Sequence, residues 1–175
     1  GVILSLYTGI RVGELCALQW EDISLSNSIL KVRKTMQRIQ DTNVGATAKT
    51  KIIITEPKSQ CSIRDIPLPA FIVDIAKQFA DAPKAFILSG EKKKYIEPRT
   101  MQNRFKALVV ESKIDDANFH CLRHTFATRC VEVGFEIKSL SEILGHANVN
   151  ITLNRYVHSS FDLKYSNMNK LSLPA

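Results

Sequence analysis

The hydrophobic spacing of this chain changes character at Pro69, and that change limits the architectures open to it. Upstream, Leu30, Val32 and Met36 alternate with Lys31, Arg33 and Gln37, residues 51–55 are β-branched, and residues 63–68 form another short run. A period of two puts successive side chains on opposite faces of a strand. Downstream, Ile72, Ile75, Ala76 and Phe79 recur at steps of three and one or four. Phe119, Leu122, Phe126, Cys130 and Val133 repeat the pattern more clearly, which is the period of a helix with one buried stripe. The spacing therefore predicts strands over 29–39, 51–55 and 63–68, with a loop over 40–50. It predicts helices over 11–18, 70–80, 98–110, 118–133 and 138–144. Pro98 suits a first helical turn, and Gly134 and Gly145 suit helix ends. Asn148 or Asn150 can cap a last helix carrying Tyr156. The expected class is mostly α with a small three-stranded antiparallel sheet (α+β).

At 175 residues, 45% of them hydrophobic, the chain is long enough for one domain with a real core. Its 24 basic and 17 acidic residues leave a formal charge of +7. Such a balance points to an anionic partner, nucleic acid first and an acidic membrane surface second; a solvated basic surface is the bland reading. No apolar stretch approaches the ~18 residues of a transmembrane helix. Residues 1–10 lack the basic start and the cleavage site of a signal peptide. Four cysteines (Cys16, Cys61, Cys121, Cys130) are too sparse for a disulfide scaffold and fit a cytoplasmic location. Cys16, Cys121 and Cys130 read as small core residues, and Lys92, Lys93 and Lys94 as a solvated loop. The start without Met, inside a predicted helix, suggests a fragment. A polar tail from about Ser159 holds the residues of one more helix, over about 160–175.

Chemistry-bearing residues cluster in a few places. His120 and Arg123 are three apart on the predicted 118–133 helix, so they should project together at the rim of the core. A guanidinium there presents a planar fork of donors suited to phosphate oxygens. Arg11 follows a glycine turn, and Glu14, one helical turn later, can orient it. His146 follows Gly145, and Tyr156 lies ten residues further. Each alone is weak: a lone Tyr on a helix is usually a packing residue. His120 and His124 are four apart, a spacing that can bind zinc, but no Glu follows His120. His124 reads instead as a packing or hydrogen-bonding residue.

Four stretches together resemble the tyrosine recombinases, also called phage integrases. They are TGIRVGEL at 8–15, EPKSQCSIRDIPL at 56–68, HCLRHTFAT at 120–128 and LGHANVNITLNRYVH at 144–158. The second and fourth are most similar to integrases of conjugative transposons and related prophages. The resemblance implies that Arg11 and Arg123 are the two catalytic arginines and Lys58 the catalytic lysine. It implies that His120 opens the histidine-x-x-arginine motif, that His146 fills the second histidine position, and that Tyr156 is the nucleophile. Glu14 matches the acidic neighbour of the first arginine. It also implies an N-terminal DNA-clamping domain, often with an arm-binding domain, that residues 1–175 do not include.

These residue types suit the chemistry. A phosphodiester repels nucleophiles, and its transition state needs preorganised positive donors, which Arg11, Arg123 and His146 can supply. A phenol with a pKa near ~10 needs a proton acceptor, here His120, as it attacks. The leaving 5′ oxygen needs a proton, which Lys58 can deliver. A 3′-phosphotyrosyl intermediate conserves the bond energy, so neither ATP nor a metal is required. The implied partner is double-stranded DNA, in a cyclic tetramer with exchanged tails. The competing functions are a catalytically inactive DNA-binding accessory module and a type IB topoisomerase that relaxes DNA.

Overall fold

The computed structural model describes residues 1–42, 49–57 and 59–156, together with 165, 168 and 169. Lys58 and most of the tail after Tyr156 lie outside the described residues. The chain opens with α1 (Val2–Thr8) and α2 (Val12–Ala17), separated by Gly9 in the left-handed region at φ 63°. A Cβ on Gly9 would lie 2.6 Å from the Phe126 ring and 2.9 Å from Leu144. Only glycine therefore permits both the turn and the close approach of the helices that carry those side chains.

Strands β1 (Ile23–Ser24), β2 (Ile29–Val32) and β5 (Arg64–Pro67) form one antiparallel sheet in the order β1-β2-β5. Leu30 pairs with Ile66 and Val32 with Arg64. Strands β3 (Thr35–Gln40) and β4 (Thr50–Thr55) form a separate hairpin, in register from Thr35–Thr55 to Gln40–Thr50. The mostly α class with a small three-stranded antiparallel sheet is as expected, but that sheet is made of β1, β2 and β5, with β1 unanticipated, and the strand predicted over 29–39 is two strands. The break falls at Arg33-Lys34, where two cations are drawn to different partners. Arg33 donates to the carbonyl of Arg64 at 2.7 Å. Lys34 reaches Asp22 at 3.1 Å and Gln19 at 2.8 Å. The chain leaves the first sheet there, and β4 pairs with β3 rather than with β5.

Four longer or later helices complete the body: α3 (Ala70–Phe79), α4 (Pro98–Glu111), α5 (His120–Glu132) and α6 (Ile137–Leu144), followed by α7 (Val149–Tyr156). Pro98 occupies the first turn of α4, as its fixed φ favours. Gly145 ends α6 at φ 66°. The Asn148 side chain accepts the Asn150 N–H at 2.9 Å at the start of α7. The main core joins Leu15, Trp20, Leu30, Ile66, Phe105 and Leu122. A second, smaller cluster gathers Ala127, Cys130, Leu140, Leu144 and Tyr156 between α5, α6 and α7. The predicted stripe of α5 is real as far as Cys130, but Val133 is exposed, because the helix has by then passed the edge of this cluster. Cys16 and Cys130 are buried, and burial pushes their thiols up to about 12 and about 11. Cys121 is only half-buried, against the Asn118 side chain, so it is not a core residue as expected. Lys92, Lys93 and Lys94 are exposed in a loop.

Candidate active site

The site is built on one buried carboxylate. Glu14 stands in the first turn of α2, where its Oε2 accepts the Arg11 backbone N–H and its Oε1 accepts the Arg11 guanidinium, each at 2.9 Å. The expected orientation of Arg11 by Glu14 is thus present. Arg64 of β5 grips the same carboxylate bidentately, at 3.0 and 2.9 Å. Burial acts to raise the Glu14 carboxyl, but the hydrogen bonds and charge of Arg64, then Arg11, outweigh it and hold Glu14 below its ordinary value. Arg64 lies within the 56–68 stretch that carries the resemblance, which implies no role for it; strand alternation singles it out. It shares the inner face of its strand with Ile66 and Leu68, opposite exposed Asp65 and Pro67. An arginine on such a face needs a carboxylate partner.

The three arginines converge on the C-terminal end of α6. Arg64 Nε donates to the Ile143 carbonyl at 2.6 Å, Arg123 to Leu144 at 2.6 Å and Arg11 to Gly145 at 3.2 Å. The last carbonyls of a helix lack intrahelical partners and carry its negative dipole end, so successive guanidiniums are well matched to them. A Cβ on Gly145 would lie 2.9 Å from the Cys61 carbonyl and 3.1 Å from the Arg64 side chain. This junction orients His146, the next residue.

The expectation that His120 and Arg123 share the rim of the core is corrected. Arg123 is 3% exposed, because its guanidinium turns inward to two carbonyls, Leu144 and Gly9, the latter at 2.7 Å. Burial, then the charges of Arg11 and Arg64, lower it to about 9, which leaves it a cation at neutral pH. His120 is exposed in the first turn of α5, with its ring edge-to-face on His124 at 4.5 Å. Arg11 keeps 37% of its side chain exposed and is open to an incoming anion.

Tyr156, 8% exposed, ends α7 with its hydroxyl 2.9 Å from His124 Nδ1. Burial raises its phenol, against the charges of Arg123 and Arg155, so the resting group is protonated. His146 Nδ1 lies 2.8 Å from the hydroxyl of fully buried Thr152. Burial first, then Arg123, Arg11, Arg155 and Arg64, push His146 down to about 4. It is a neutral imidazole at pH 7, so the expectation that it supplies positive charge beside Arg11 and Arg123 is corrected: it can offer phosphate a hydrogen bond only. Arg11, Glu14, Arg123 and His146 are therefore gathered at the α6–α7 junction, with Tyr156 joined to α5 through His124. Lys58 lies outside the described residues, in the connection between β4 and β5.

The phage integrase family model matches residues 2–162. The chain belongs to the phage integrase family. Relatives include a "tyrosine recombinase XerC-like" protein of Caldanaerobacter subterraneus, 29% identical over 172 residues, covering 89% of this chain and 44% of the relative. The transposase from transposon Tn916 of Enterococcus faecalis is 29% identical over 190 residues, covering 98% of this chain and 44% of the relative. The chain thus spans about half the length of the curated relatives it matches. The structure of the Tn1549 transposon integrase in complex with circular intermediate DNA superposes with a TM-score of 0.78 at 26% identity. That match covers 98% of this chain and 58% of the integrase. No helix among the described residues is long and apolar enough to cross a membrane.

Proposed function

We propose that this phage integrase chain is the catalytic domain of a site-specific DNA recombinase that cuts and rejoins strands through a 3′-phosphotyrosyl intermediate. The observation that carries this reading is the position of Tyr156. Its hydroxyl is held by a histidine at 2.9 Å, at the end of the helix that follows the arginine-bound end of α6. In this reading Arg11 and Arg123 bind the scissile phosphate and neutralise the charge that develops on it, His146 contributes a hydrogen bond as a neutral imidazole, and Glu14 keeps Arg11 aimed. Tyr156 Oη bonds to phosphorus, the bond to the 5′ oxygen breaks, and Lys58 protonates the leaving oxygen. The family resemblance gives the phenolic proton to His120. A 5′ hydroxyl of another strand then attacks the phosphotyrosine and releases Tyr156. The charge the phosphate requires is supplied by side chains, so the reaction needs no metal or nucleotide.

Duplex DNA is the substrate in this reading, supported by the net charge of +7 and by the Tn1549 integrase solved with DNA. The assembly is a tetramer on DNA, with the residues after 159 seated on a neighbouring protomer, and the protein works in the bacterial cytoplasm. Exposed Tyr165 and Met168 suit such a tail. The test is a nicked suicide duplex carrying a recombination site, incubated with the protein in EDTA. A covalent adduct that disappears in Tyr156→Phe is expected. Cleavage that strictly requires Mg²⁺, or an adduct that survives Tyr156→Phe, overturns the reading. Binding without any adduct would make the chain an accessory module, and relaxed plasmid without strand exchange a topoisomerase.

A further inference from the structure

We propose that His124 is a catalytic residue of the cleavage step: its Nδ1 holds the Tyr156 hydroxyl and receives the phenolic proton as Oη attacks phosphorus. The proposal rests on Tyr156 being the nucleophile, and it moves proton acceptance from His120 to its neighbour one turn along α5. Tyr156 is nearly buried, so its hydroxyl needs a partner, and His124 is that partner at 2.9 Å. The two rings lie 5.7 Å apart with planes tilted by 50°.

The helix explains how one segment serves two roles. Successive residues of a helix are turned by about 100°. Arg123 therefore points inward to Gly9 and Leu144. His124, the next residue, is turned toward α7. His120 lies one turn earlier on the same face and meets the His124 ring edge-on, at 4.5 Å and 89°. It braces that ring, while the hydrogen bond to the phenol belongs to His124. Partial burial, then the charges of Arg155 and Arg123, lower the His124 imidazole below its ordinary value. A neutral ring with its proton on Nε2 leaves the Nδ1 lone pair available to Tyr156.

The step balances without any further reagent. The proton moves from Oη to Nδ1, the Oη–phosphorus bond forms, the bond to the 5′ oxygen breaks, and that oxygen takes its proton from Lys58 as in the proposed function. When a 5′ hydroxyl attacks the phosphotyrosine, its proton returns to Lys58, the Oη–phosphorus bond breaks, and the His124 imidazolium returns the other proton to Oη.

The experiment measures the rate of adduct formation on a nicked suicide duplex for the parent protein, His124→Phe and His124→Asn. Each is assayed on the ordinary phosphodiester and on a 5′-bridging phosphorothiolate, whose sulfur leaves without a proton. His124→Phe is expected to slow adduct formation at least about 100-fold, the ordinary scale of a lost proton acceptor. The same deficit should persist on the phosphorothiolate. His124→Asn places an amide oxygen near the Nδ1 position, so it keeps the hydrogen bond but cannot take the proton. It should fall between the two and at least about tenfold below the parent. A His124→Phe rate within about threefold of the parent overturns the assignment, as does a deficit that the phosphorothiolate cures. If His124→Phe does not fold, His124→Asn decides: a rate equal to the parent's overturns the proposal. A parent that forms no adduct instead overturns the nucleophile reading beneath it.

Discussion

Around Glu14 the site is held by buried charge, with Arg64 and Arg11 on one carboxylate and three guanidiniums on the end of α6. Tyr156 is held differently, by a neutral hydrogen bond to His124 and by the small cluster of Ala127, Cys130, Leu140 and Leu144. The difference matches what each region would do in the proposed reaction. Groups that stabilise charge on a phosphate work best when they need no reorganisation as that charge develops. A nucleophile that is bonded to DNA and later released must leave its resting contacts at modest cost. Losing one partner of a buried ion pair costs about 3–5 kcal/mol. A neutral hydrogen bond contributes only about 1 kcal/mol.

The comparison can be broken most directly at Tyr156, the proposed nucleophile. Tyr156→Phe should abolish adduct formation altogether while lowering stability by only about 1 kcal/mol in a urea titration. A much larger stability loss would show that Tyr156 is as firmly built in as the arginines. Glu14→Gln should do the reverse in kind, costing about 3–5 kcal/mol because Arg64 stays buried without its charge partner. A loss within the error of the titration would remove the claim that buried charge holds this half.

Gly145→Ala probes the joint between the two regions. The left-handed φ of 66° disfavours any side chain, and the new Cβ would press on the Cys61 carbonyl and on Arg64. A stability loss of about 1–2 kcal/mol from the backbone alone is expected. Adduct formation should slow as well, since Arg11, Arg64 and His146 all depend on this turn. Normal cleavage kinetics would detach the joint from the chemistry. Thr152→Val keeps shape but loses the hydrogen bond to His146, for about 1 kcal/mol. Its effect should fall on cleavage more than on DNA affinity, measured by suicide-substrate kinetics against equilibrium binding.

Acid provides the finest discrimination. His146 titrates at about 4 in the folded chain, against ~6.5 for an ordinary histidine. As pH falls below ~6.5 the unfolded chain takes up that proton first, so stability drops until pH reaches about 4. Glu14 has the opposite charge type but the same acid trend. Its folded value is depressed, so its contribution is complete above the ordinary carboxyl range and is lost as pH falls through the lower folded value. His146→Asn should make the limb between pH 6.5 and 4 shallower, leaving the smaller part that belongs to His124 and His120, whose imidazoles are also lowered, and the loss below it. An unchanged limb, followed by denaturation at a series of pH values, would show that His146 is not the group responsible.

The elements of this protein were largely written in local sequence. Pro98 marks the start of α4, Gly145 stops α6, Asn148 caps α7, and Tyr156 lies on the helix expected to carry it. Such signals act over a few residues, because helix periods, caps and left-handed glycines are properties of near neighbours. The motifs likewise selected Arg11, Glu14, His120, Arg123, His146 and Tyr156 by residue type and spacing. What spacing did not decide was which partner each side chain takes. Arg64 meets Glu14 across 50 positions, Arg123 meets Gly9 across 114, and His124 meets Tyr156 across 32. The inward turn of Arg123, the split of the 29–39 strand at Arg33-Lys34 and the pairing of His124 all follow from such distant contacts. Local sequence sets where a side chain projects from its own element. Only the packing of α5, α6 and β5 sets which carbonyl or hydroxyl waits there, and a buried cation or phenol turns to whichever acceptor that packing supplies.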